Sequence, residues 1–124
     1  DQPVIEGRLK EKKGRWKAFR RWRSRYFTLT GVHLSYRGSK PEKDTVRNLE
    51  IGQIRSVKTI GSRRSIPKAF EIFTADDTSL VLKPEDGRNL EEWVQCLSIA
   101  VAHCQAKGDA YTKTLTVWGS GSLR

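Results

Sequence analysis

Polar and apolar positions alternate through most of the first 83 residues and divide them into short extended segments. Val4 to Lys12 sets Ile5, Gly7 and Leu9 on one side and Glu6, Arg8 and Lys10 on the other, the period of a half-buried strand. Lys13 and Gly14 break the pattern, and a basic loop, RWKAFR, leads to a second alternating run. There Arg23, Arg25, Phe27 and Leu29 share one face, and Trp22, Ser24, Tyr26 and Thr28 share the other. Thr30 and Gly31 form a tight turn into Val32 to Arg37, so the opening reads as an antiparallel meander of three strands.

The stretch GSKPEKD, residues 38 to 44, is rich in turn formers and reads as a loop before a short strand near Arg47 to Glu50. Alternation then predicts strands at Ile54 to Ile60, Ala69 to Thr74 and Thr78 to Lys83, with a basic loop at Arg63 and Arg64 and a turn at Asp76 and Asp77. Seven short strands with turns between them predict a mainly β fold, an antiparallel sandwich or barrel. Beyond Pro84 the period changes: Leu90, Trp93, Leu97, Val101 and Cys104 fall at helical spacing and predict one amphipathic helix. Asp86 or Asn89 suits its cap, Glu91 and Glu92 its positive end, and Lys107 with Gly108 its finish. The domain is therefore expected to span residues 1–107. The tail, 108–124, is expected to leave the helix as an added strand through the β-prone Tyr111 to Trp118, or as a flexible end.

Charge sharpens this picture. From Arg8 to Arg25, ten of eighteen residues are Lys or Arg and only Glu11 is acidic. Residues 1–40 hold 12 basic and 3 acidic side chains, so nearly all of the net charge of +10 lies in the first third. Trp16, Phe19 and Trp22 interrupt the basic run, which marks folded structure and not a disordered polybasic tail. Such a surface attracts polyanions: nucleic acid, an anionic leaflet or an acidic protein face.

Several classes are set aside. No stretch approaches the roughly 18 to 20 apolar residues of a membrane span, and DQPVIEG has no signal-peptide core, so a soluble protein is expected. A chain that begins at Asp1 without Met reads as a piece of a longer one. Cys96 and Cys104 lie eight apart on one predicted helix, too far to be bridged, which points to reduced thiols and an intracellular setting. With His33 and His103 they match no zinc spacing, and no phosphate loop, G-x-S-x-G elbow or carboxylate pair appears. A binding module without metal, cofactor or catalysis is expected.

Four motifs resemble the pleckstrin homology (PH) family in order: Glu6-Gly7-x-Leu9, Trp22-Arg23-Ser24-Arg25-Tyr26-Phe27-Thr28-Leu29, Leu34-Ser35-Tyr36-Arg37, and Trp93 within EEWVQCL. The resemblance covers about residues 4–106 and implies a PH-like seven-stranded antiparallel barrel or sandwich capped by one C-terminal helix. Within that family, EGRLKEKKGRWKAFRRWRSRYFTL and EEWVQCLSIAVAHCQA are most similar to the melted family, cytoplasmic proteins with a C-terminal PH domain.

The resemblance implies a phosphoinositide head group held at the open end of the barrel. The family's binding pattern falls on Lys10 or Lys12, Arg23, Arg25, Tyr36 and Arg37, and guanidinium and ammonium groups suit phosphate dianions. Arg23 and Arg25 share the core face, and acidic partners are nearly absent from this third of the chain. Both are therefore expected at the barrel mouth, meeting ligand and not internal salt bridges. Where many lipid-binding members carry a lysine four residues after the glycine, this chain has Glu11, which leaves open whether Lys10 or Lys12 faces the site. Lys13, Arg15, Trp16, Lys17, Phe19, Arg20 and Arg21 are expected to contact the anionic leaflet. Trp22 and Trp93 are expected in the core, and Arg63 and Arg64 on idle surface, with a second anion site beside the first loop as the alternative. The function so implied is recruitment of a parent protein, monomeric in this domain, to the cytoplasmic face of the plasma membrane or an endomembrane. The alternative is a protein-interaction module with only nonspecific attraction to anionic lipid, and nucleic-acid binding is a weaker third reading.

Overall fold

A sheet whose strands each bury one side needs a second layer over that side, and here the sheet's own curl and one helix supply it. The computed structural model describes residues 2–13, 21–38, 46–61, 68–85 and 89–122, with side chains for 2–12, 22–38, 46–61, 68–85 and 89–108. Its strands are β1 (Ile5–Lys13), β2 (Arg21–Leu29), β3 (His33–Arg37), β4 (Arg47–Glu50), β5 (Ile54–Ile60), β6 (Ala69–Thr74) and β7 (Ser79–Pro84). They form one antiparallel sheet in the order β4-β3-β2-β1-β7-β6-β5, curled into a half-barrel. The last strand returns to pair with the first, so β1 joins two meanders, with β2 on one side and β7 on the other.

The strands fall where alternation places them, within a residue or two at each end. β6 shows why: Phe70, Ile72 and Thr74 are buried and the residues between them are not. A 3-10 turn at Ile51–Gln53, invisible in the strand pattern, joins β4 to β5. It is pinned by the Ile51 amide donating to the Val32 carbonyl at 2.9 Å and by the Ala75 amide donating to the Gln53 carbonyl at 2.8 Å.

The helix α1 (Leu90–Ser122) closes the inside of the sheet. Its stripe of Leu90, Trp93, Leu97 and Val101 is buried against Leu9, Phe27, Leu29, Leu34, Ile54, Phe70, Ile72 and Leu82. Trp93, 3% exposed, is a core residue as expected. Fully burying side chains of this size contributes about 1.5–3 kcal/mol each, which makes this stripe the main contact between helix and sheet.

One expectation is corrected: α1 does not stop at Lys107 and Gly108 but runs on to Ser122, so the tail is neither an added strand nor an end that leaves the helix. A helix already nucleated by packing gains one hydrogen bond for each further residue, while an interior glycine costs only about 1 kcal/mol relative to alanine. Gly108 without a following proline is too weak a stop. Of the proposed caps, Asn89 stands one residue before the helix, and Asp86 lies outside the described residues. Arg63 and Arg64 lie outside them too.

Candidate functional site

The β1/β2 ladder carries most of the charge and sorts it by parity. Gly7 pairs with Phe27, Leu9 with Arg25 and Glu11 with Arg23, so these positions share the inner face with the core. Lys10 pairs with Ser24 and Lys12 with Trp22, which places both lysines on the outer face. Neither strand-one lysine stands beside the inward arginine, and the inner position near the strand end belongs to Glu11.

Glu11 is buried, with a side chain 7% exposed, and its Oε1 lies 2.9 Å from Nε of Arg25, itself 18% exposed. The contact is diagonal across the ladder, one step from the directly paired Leu9–Arg25 and Glu11–Arg23 positions. The expectation that the inward arginines lack an internal acidic partner is therefore corrected for Arg25. A single carboxylate suffices when register brings it within reach, and a buried carboxylate is strongly driven to take a counter-charge. The Arg25 guanidinium also stands 5.8 Å from the centroid of the Tyr36 ring, and that ring stacks on Phe27 at 5.0 Å. The ion pair is thus anchored to the core through two aromatic rings. Arg23, the next inward position toward the strand end, is exposed.

Glu11 of this pair stands in the wall of a cleft of about 720 Å³ at the barrel mouth. Glu11, Tyr36, Arg47, Asn48 and the β6–β7 turn line it. Arg47 was not anticipated: it follows a long loop in sequence, and only the Tyr36–Arg47 pairing of β3 with β4 brings it here. The turn is a second contribution: the resemblance implied a loop from strands six and seven at the site, but no residue of it was named as a ligand. Asp76 accepts from the Thr78 hydroxyl at 2.7 Å, the Thr74 hydroxyl at 2.5 Å and the Thr78 amide at 3.2 Å. Those donors, the Thr74 hydroxyl foremost, hold its carboxyl at a pKa of about 2, below the usual 3.8. Asp77 follows at φ 65°, the left-handed conformation that lets the tight turn close. The mouth therefore mixes cationic Arg25 and Arg47 with anionic Glu11 and Asp76.

A second cationic cluster occupies the outer face. Nζ of Lys83 lies 4.1 Å from the Trp22 ring centroid and Nζ of Lys12 lies 5.7 Å from it. Ser24 donates to Glu85 at 2.6 Å beside them. Trp22 is half-buried there and not in the core, a correction that follows from its parity with Ser24 and Tyr26 and against Phe27. Arg37 is on the outer face too, 5.2 Å from the Tyr26 ring centroid. Of the six expected ligand residues, the structure brings Arg25 and Tyr36 together at the mouth with exposed Arg23 on the same face, and sets Lys10, Lys12 and Arg37 on the opposite one. Lys13 and Arg21 pair at the end of the ladder, while Arg15, Trp16, Lys17, Phe19 and Arg20 lie outside the described residues.

Among the described residues no three His, Cys, Asp or Glu side chains converge on a metal-sized space, and no helix is long and apolar enough to cross a membrane. Burial, with Glu92 one turn away, pushes the Cys96 thiol up and away from a reactive thiolate.

A curled seven-stranded antiparallel half-barrel with one C-terminal helix and an open mouth is the architecture of a PH domain. The family model for the PH domain matches residues 3–102, and the chain belongs to that family. It is 61% identical over 114 residues to Protein melted of Drosophila melanogaster, covering 92% of this chain and 11% of that protein. It is 44% identical over 110 residues to the human ventricular zone-expressed PH domain-containing protein homolog 1, covering 86% of this chain and 13% of that protein. The chain thus spans about a tenth of the length of these relatives. Among solved structures, the C-terminal PH domain of pleckstrin in complex with D-myo-Ins(1,2,3,4,5)P5 superposes with a TM-score of 0.62 at 20% identity, covering 80% of this chain and 98% of that one. That likeness is one of fold.

Proposed function

We propose that this domain binds phosphoinositide head groups at the barrel mouth and recruits its parent protein to the cytoplasmic face of a membrane. The observation that carries this reading is the cleft of about 720 Å³ with Tyr36 and Arg47 in its wall and Arg25 anchored beside it through the Glu11 pair. Arg47 and the exposed Arg23 offer planar donors to phosphate, held by strands that lose little freedom on binding. A PH domain of the same fold was solved with an inositol pentakisphosphate, which supports the ligand class. The outer lysines, Lys10, Lys12 and Lys83, extend the cationic surface toward the leaflet, where each such charge is worth about 1 kcal/mol. The residues joining β1 to β2 add Arg15, Lys17 and Arg20 by sequence. Binding, not catalysis, is the role this arrangement serves.

The test is co-sedimentation of the domain with vesicles carrying each phosphoinositide in turn against phosphatidylserine alone, at one salt concentration. Enrichment on one or more phosphoinositides that falls at least tenfold in Arg23→Ala/Arg47→Ala is the expected result. Equal binding to all anionic vesicles, removed by salt, would reduce the domain to nonspecific charge attraction.

A further inference from the structure

We infer that Glu11 is a specificity-determining residue of the mouth, one that lowers its affinity most for the most highly phosphorylated head groups. The inference rests on the reading that head groups bind at this mouth.

Three observations meet at this residue. It lines the cleft, it is 5% exposed, and it lies 2.9 Å from the guanidinium of Arg25. A phosphate entering the cleft meets Glu11 in its wall and must compete with that carboxylate for the adjoining Arg25, at a position where the carboxylate is tethered and the ligand is not. The same carboxylate adds repulsion for every dianion placed in the cleft, and its burial keeps that field poorly screened. Asp76, ionised down to a pKa of about 2, also lines the cleft and adds to the field. Each further phosphate on the inositol ring therefore gains less here than it would at a purely cationic mouth. Glu11 alone among these carboxylates also sequesters a cation, so its removal both relieves repulsion and releases Arg25.

The experiment titrates soluble inositol mono-, bis- and trisphosphates into wild type, Glu11→Gln, Arg25→Gln and the double variant by calorimetry at fixed salt and pH. Glutamine keeps the shape of the side chain. The expected result is a wild-type affinity that rises less than about threefold per added phosphate, and a Glu11→Gln gain of about tenfold for the trisphosphate that is smaller for the monophosphate and reduced when Arg25 is also Gln. Binding by Glu11→Gln where wild type shows none also supports the inference. It is overturned by wild-type affinity climbing steeply with phosphate number, by equal affinities of wild type and Glu11→Gln, or by a gain that ignores phosphate number or is undiminished by the loss of Arg25. Those outcomes leave head-group binding intact. Absence of binding by every protein overturns the head-group reading itself, and this inference with it. The wild-type arm decides the matter even if Glu11→Gln melts below the working temperature.

Discussion

The ammonium of Lys83 stands 4.1 Å from the centroid of the Trp22 ring, reaching it from β7 across the intervening strand β1. Lys12, on β1 itself, shares the ring at 5.7 Å. Trp22 is thereby a platform for cations on the outer face of the sheet, while Trp93 is a core side chain under its inner face. Trp22→Ala is expected to cost about 1–2 kcal/mol, from two half-buried cation–π contacts and partial burial, and Trp93→Ala about 3–5 kcal/mol. Urea unfolding of the two variants measures the difference; equal losses would place Trp22 in the core after all.

Removing Arg25 takes a cation from beside a buried carboxylate, whereas removing Glu11 leaves a long cation with a path to solvent. Arg25→Ala is expected to destabilise the fold by about 2–4 kcal/mol, and Glu11→Gln by less than half as much. Chemical denaturation of both variants at neutral pH tests the asymmetry, and its reversal would mean that Arg25 does not depend on Glu11 for its placement.

Asp77 occupies the left-handed region at φ 65° and pairs only at the surface with Arg55 at 3.3 Å. Asp77→Gly is expected to change stability by less than about 0.5 kcal/mol, because the relieved strain offsets the glycine's entropy and the lost surface pair is worth little. Asp77→Val, β-branched in the same conformation, is expected to lose more than about 1 kcal/mol. Thermal melts of the two variants decide it.

The Asp76 carboxyl, with its folded pKa depressed from 3.8 to about 2, favours the folded state where it is ionised. That contribution is fully present above the unfolded value and is lost as the pH falls through the folded one. Wild-type stability should therefore drop between about pH 4 and pH 2 relative to Asp76→Asn, whose curve should be flatter across that window. Parallel pH curves for the two proteins would remove Asp76 from the acid transition.

Every fully described buried residue of α1 lies at or before Val101. A chain ended after Lys107 is expected to keep its melting temperature within a few degrees and its sheet intact, as seen by circular dichroism and backbone NMR. A large loss would assign residues 108–124 to the folded core of the domain.

Strand positions, their faces and the helical stripe were all legible in the residues, because periods of 2 and of three to four are local properties of a chain that must bury one side. The same local parity was enough to turn Arg25 inward and, through Leu9, Glu11 with it. Which inward residues touch was not legible. Glu11 and Arg25 meet on a diagonal of the β1/β2 ladder, Arg47 reaches Tyr36 only through the β3/β4 pairing, and Lys83 reaches Trp22 only because β7 returns to lie beside β1. Alternation records the face of each residue, but register between strands distant in sequence is set by whole-sheet packing. The end of α1 was obscure for a different reason: the free energy that separates stopping at Gly108 from continuing to Ser122 is about that of a single glycine. By itself the sequence determined the half-barrel, its helix and a basic first hairpin. The tertiary structure alone decided that the mouth of this basic domain holds a buried carboxylate paired to its inward arginine, because a contact across the ladder depends on a register that no local pattern encodes.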